Sequence, residues 1–157
     1  MAVVKRTDIL GQDIKALYRV TDGRHEDLDY ARNDRTSAGK PEQDLAPVAG
    51  VDNAVQAVVH RIKTARGELA DLGHPEYGSR HHELIGRPNS ENNRNLVKLY
   101  ILQALAREPR IEKILSANIV YNRAVRPDQV EIDLKLTLIG AQVPLNLVIP
   151  FSFGGAV

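Results

Sequence analysis

The chain of 157 residues contains no cysteine, no tryptophan and a single methionine, and aromatic residues make up only 4%. Without cysteine there is no disulfide, no thiolate nucleophile and no cysteine-ligated zinc site. With so few rings, the aromatic platforms that stack on sugars or bases are scarce, and a core has to be assembled from Val, Ile, Leu and Ala. Neither sign of charge dominates, with 21 Lys and Arg against 20 Asp and Glu. The balance is −1 over residues 1–50, +2 over 51–110 and 0 over 111–157. No third of the chain carries the excess needed to hold a phosphate backbone, so nucleic acid is disfavoured as the main ligand. No run approaches the ~18 apolar residues of a membrane span, and the opening Met1–Asp8 lacks the apolar stretch of a signal peptide. The expectation is a chain made in the cytoplasm without membrane insertion.

What is present is an ordinary globular balance, 43% hydrophobic and 26% charged, in a length that buries one core. Two stretches follow the helical period. Val51, Val55, Val58, Val59 and Ile62 form one stripe, with Asp52 as the expected N-cap, basic residues toward the far end and Gly67 as a stop. Leu96, Val97, Tyr100, Ile101, Ala104 and Leu105 form the other, capped by Asn89 or Ser90 and ended before Pro109. Between them, residues 67–90 carry several Gly and Pro punctuators. Leu69, Leu72, Tyr77, Leu84 and Ile85 predict an ordered loop anchored on the core.

Toward the C-terminus the period changes to two. Val130, Ile132, Leu134, Leu136 and Leu138 alternate with polar residues, and the pattern resumes through Val143, Leu145, Leu147, Ile149 and Phe151. With Gly140 between them, 129–138 and 143–151 predict an antiparallel hairpin, preceded by a mixed apolar segment around Ile114–Val120. Near the N-terminus, residues 13–32 alternate around Asp22-Gly23 and predict a second hairpin, with an irregular arm as the alternative. Residues 33–47, rich in breakers, read as a linker or surface loop. The fold class is therefore α+β, two main helices on a small antiparallel sheet, with an N-terminal arm over 1–45 and a main domain over 46–157.

The chemical candidates are weak. Glu68, Asp71, Glu76 and Glu83 lie in a polar loop, where solvation or pairing with Arg66, Arg80 and Arg87 explains them as well as catalysis does. His74, His81 and His82 have no helical i, i+4 spacing for a metal. No nucleophile elbow or phosphate-binding glycine loop occurs. No catalytic residue, metal ligand or cofactor site is assigned. Glu108-Pro109-Arg110 reads from pattern alone as a helix stop with solvated charges.

Several segments, taken in order, resemble one family. Gly50–Ala57 with Arg66–Leu69, Gly73–Arg80, Leu84–Asn89 and finally Glu108-Pro109-Arg110 are similar to the baseplate wedge and sheath-initiator proteins of contractile tails, over about residues 46–151. That family includes phage baseplate proteins labelled lysozyme-like, the type VI secretion baseplate subunit, and equivalents in tailocins and extracellular injection systems. The resemblance implies a structural subunit rather than an enzyme. Its implied partners are baseplate wedge proteins, the first ring of sheath subunits and the tail tube, with six copies around a six-fold tube. Glu108, Pro109 and Arg110 become candidate partner-binding residues. So do Leu145, Leu147 and Ile149, on a hairpin expected to join the sheath by strand pairing. A peptidoglycan hydrolase of the tail and a regulatory adaptor of the same fold are the competing readings.

Overall fold

The computed structural model describes residues 10–21, 24–28, 30–33, 42–121, 124 and 126–154. They fall into two compact units, Met1–Ala57 and Val58–Val157, and the class is α+β.

In the first unit, β1 (Gln12–Ile14) pairs antiparallel with β6 (Pro47–Ala49), β2 (Ala16–Thr21) with β3 (Arg24–Leu28), and β4 (Tyr30–Asn33) with β5 (Glu42–Leu45). The N-terminal hairpin is present. Its return strand is the charged run Arg24–Leu28, which pairs because ladder hydrogen bonds come from the backbone and tolerate polar side chains. The Asp22-Gly23 turn lies outside the described residues, as do Ser37, Gly39 and Pro41 of the expected linker. The described residues of that linker include the end of β4, all of β5 and the start of β6, so it is not a plain loop.

Helix α1 (Gly50–Lys63) starts two residues earlier than Asp52, which leaves Asp52 in the first turn. There its charge still complements the positive end of the helix dipole. Two buried amides on α1 hold the strand segment below it. Asn53 Nδ2 donates to the Leu10 carbonyl at 2.6 Å, and Gln56 Nε2 donates to the Ile14 carbonyl at 2.8 Å. Gln56 Oε1 accepts from the Ala16 N–H at 2.8 Å. Each amide thereby satisfies the cost of its burial.

In the second unit, α2 (Glu91–Leu105) is capped by Ser90, whose Oγ accepts from Asn93 N–H at 3.3 Å. Three strands follow as a meander, β7 (Ile111–Val120), β8 (Gln129–Leu138) and β9 (Leu145–Ser152), with β8 in the centre. The segment read as mixed apolar is thus a ten-residue strand. Two register shifts, between Ile111 and Lys113 and between Ile114 and Ser116, break its alternation and conceal it from a period-two search. β8 keeps strict alternation, with all five even-numbered residues from Val130 to Leu138 buried. Val58, Ile62, Val97, Ile101, Leu105 and Phe153 pack with Val130, Ile132 and Leu134 into one core.

Residues 67–90 are an ordered loop with two 3-10 turns, Ala70–Leu72 and His81–Leu84. Only part of the expected anchoring occurs. Leu84 is buried, but Leu72 is 73% exposed and Ile85 half exposed. Gly78 is the tight point, at φ +96°, where an added Cβ would lie 2.5 Å from the Thr64 carbonyl oxygen.

Candidate functional site

Glu108-Pro109-Arg110 forms the step from α2 into β7. Glu108 does not face water, since its side chain is 1% exposed. Pro109 ends the helix and turns the chain so that the Glu108 carboxylate points inward. There it accepts from Arg61 Nε at 2.9 Å on one oxygen and from an Arg110 terminal nitrogen at 3.0 Å on the other. Arg61 is 11% exposed and Arg110 29%. The Arg61 guanidinium also lies over the Tyr77 ring, 4.5 Å from its centroid. Burial raises the Tyr77 hydroxyl pKa above its ordinary value, with the nearby arginines working against that shift. Arg110 Nε is buried without a hydrogen-bond partner. Glu108 is thus a fastening for two arginines, and of the two charged residues in the triplet only Arg110 retains surface to offer. Pro109 is exposed.

The other expected partner-binding residues lie on β9, but their side chains are directed elsewhere. Leu147 and Ile149 pack against the core, and Leu145 is half-buried. The alternation places Asn146, Val148 and Pro150 on the opposite, exposed face. The ladder fixes the backbone as well. Phe153 N–H donates to the Asp128 carbonyl at 2.8 Å, in the same register that pairs Gln129 with Ser152 and Leu136 with Leu145. Stepping by two, the polar backbone groups of Leu145, Leu147, Ile149 and Phe151 turn toward β8, and those of Asn146 and Val148 turn away. On the far side Ile139 N–H donates to the Arg110 carbonyl at 2.9 Å, which agrees with odd-numbered β8 residues bonding β7. Pro150 therefore sits where its missing N–H costs the β8 pairing nothing. β9 is an edge of its sheet, and between Pro144 and Pro150 its outward donors are the amides of Asn146 and Val148.

Three of the four loop carboxylates are held by a partner. Glu76 Oε2 accepts from both Arg66 and Arg107, Glu83 is held by both Nε and a terminal nitrogen of Arg80, and Glu68 Oε2 accepts from the Ala65 N–H. The Arg107 hydrogen bond leads in holding Glu76 below the usual carboxylate range, and the Arg80 hydrogen bond does so for Glu83. Among the described residues no group of three His, Asp or Glu is placed to hold a metal ion. His81 is not a surface histidine. Its ring meets Phe151 edge-on at 5.4 Å, its Nδ1 lies 3.0 Å from Ser79 Oγ, and burial, helped by His82, lowers its pKa to about 4. Sequence reasoning missed Arg61, Tyr77 and Arg107 as members of these clusters. Arg61 is 47 residues from Glu108 and Arg107 31 from Glu76, and nothing local to either sequence position signals the meeting.

No protein-family model matches the chain, and no curated protein matches it. Among solved structures, the chain is similar in fold to a protein of Geobacter sulfurreducens provisionally named a tail lysozyme. The TM-score is 0.55 at 24% identity, over 64% of this chain and 88% of the other.

Proposed function

We propose that this chain is a non-enzymatic baseplate subunit of a contractile injection machine, contacting wedge proteins and starting the sheath around the tail tube. The observation that carries the reading is the fold shared with the tail protein over most of that protein's length. The ordered set of segments from Gly50 to Arg110 supports it from the sequence side.

In this role the two parts of the candidate site have separate tasks. Glu108 holds Arg110 in place while part of the guanidinium stays accessible, and a held arginine loses little freedom when it meets a partner. The free edge of β9 takes an extended segment of a sheath subunit, through the outward N–H and C=O groups of Asn146 and Val148. Pro144 and Pro150 limit that pairing to a short window, which sets the register of the incoming strand.

The provisional name of the structural neighbour favours a second reading, a wall-degrading enzyme. A glycosidase acid needs a carboxyl held protonated near neutral pH. Among the described residues the two carboxylates with shifted pKa values, Glu76 and Glu83, are both shifted down, which speaks against that reading. Purified protein on a peptidoglycan zymogram, alongside co-purification of the tagged chain from particle-producing cells, separates the two. The structural role predicts no clearing band and recovery of sheath and wedge proteins. A clearing band that Glu76→Gln or Glu83→Gln abolishes would establish the enzyme instead.

A further inference from the structure

The second unit carries a cluster that the proposed role does not use, and it stands independently of that role. Among the described residues Glu76 is the only carboxylate hydrogen-bonded by both Arg66 and Arg107, and both arginines donate to the same atom, Oε2. Two guanidiniums against one carboxylate leave one positive charge in surplus. Arg66 Nε and Arg107 Nε have no acceptor among the described residues, and Glu76 Oε1 has no donor. The cluster is open, with Glu76 60% exposed, and borders a cavity of about 370 Å³. Arg80 also lines the cavity, but both its bonds go to Glu83. Tyr100 and Ala104 add an apolar wall, and Gln103 a neutral amide.

We infer that this cavity is a docking pocket for an acidic side chain, Asp or Glu, of a partner protein. The charge match decides the ligand class. One surplus positive charge fits one carboxylate, whereas a phosphate brings a charge nearer −2 and wants more free donors than two partly occupied guanidiniums give. Glu76 already demonstrates the pairing, because its own carboxylate occupies the same two donors. Planar guanidinium forks suit carboxylate oxygens, and the apolar wall of Tyr100 and Ala104 takes the methylene stem of the incoming side chain. Glu76 is then both a holder of the two arginines and an internal competitor. Removing its charge while keeping its shape frees the donors and doubles the surplus.

The probe is acetyl-glutamate amide, which has a side-chain carboxylate and no terminal one, titrated into the full chain and followed through the arginine Nε–H signals by NMR. The expected result is saturable movement of the Arg66 and Arg107 signals in the millimolar range. The isosteric glutamine compound should give none, and inorganic phosphate should bind more weakly. Glu76→Gln should tighten binding by up to about fivefold, as relief from one exposed competing charge allows. Arg107→Gln should abolish saturation, with Arg66→Gln as the second variant if the first loses its fold. No saturation with the glutamate compound, equal response to the glutamine compound, tighter binding of phosphate, or unchanged or weaker binding in Glu76→Gln would each overturn the assignment.

Discussion

Glu108 and Glu76 do the same chemistry in opposite surroundings. Each carboxylate accepts from two arginines that come from different parts of the chain. Glu108 is closed in at 1% exposure, and Glu76 stands open at 60%. A closed pair must be complete, because a charge left alone in a poorly solvated site is expensive. An open pair is screened by water and adds little to stability, so its arginines remain available to other anions. Adjacent residues link the two clusters, since Glu76 belongs to the open one and Tyr77 covers Arg61 of the closed one.

The largest effect should come from breaking the closed cluster. Glu108→Ala leaves Arg61 and Arg110 without their counter-charge and is expected to cost about 3–5 kcal/mol, measured by urea unfolding. A loss below ~1 kcal/mol would mean that water or another acceptor replaces the carboxylate.

Gly78→Ala should come next, because it strikes the loop that feeds both clusters. The new Cβ combines a left-handed φ with a collision against the Thr64 and Ala65 backbone. Strain and overpacking together are expected to cost about 3 kcal/mol. The ring-current shifts of Tyr77 on Arg61 should disappear in the same variant, and their survival would show that the loop tolerates displacement.

A pH titration sharpens the comparison further. The folded pKa of His81 is depressed to about 4 from its ordinary 6.5, so the unfolded chain binds the proton first. Stability is therefore full above pH 6.5 and falls as pH drops through the window from 6.5 to 4, by about 2 kcal/mol after allowing for partial solvation. Glu76 titrates below its ordinary value, so the open cluster stays ionised across most of that window. His81→Gln should flatten the slope, and an unchanged slope would assign it to other groups. The smallest effect is expected from Glu76→Gln, whose unfolding midpoint should stay with that of the parent chain even as its binding of carboxylates improves.

The helices and β8 were legible in the sequence because their periods are unbroken and each presents one apolar face. β7 was not, because its register shifts scramble the alternation. The strands β5 and β6 lay at the end of a breaker-rich stretch, and at four and three residues they are too short to display a period, although Val48 is buried. At the candidate site, the sequence pointed to the triplet at 108–110 and to the β9 strand, but it did not show which atoms face outward. On β9 the legible apolar residues, Leu145, Leu147 and Ile149, are those directed away from the exposed face. A one-residue step in a period of two moves the outward-facing set to Asn146 and Val148. Long-range partners such as Arg61 and Glu108 meet only through the fold.

The central claim, sheath initiation through the β9 edge, is tested most directly by placing proline at Val148. Its amide points away from β8, so Val148→Pro should leave the sheet intact while removing one of the two outward donors between Pro144 and Pro150. Leu147→Pro, one residue away, removes a bond to β8 and serves as the control that damages the fold. Particles from producing cells carrying each variant are counted by electron microscopy as sheathed or bare. The account predicts that Val148→Pro gives folded protein in complete baseplates that lack sheath. Baseplates carrying Val148→Pro that acquire normal sheath at the parental rate would contradict it.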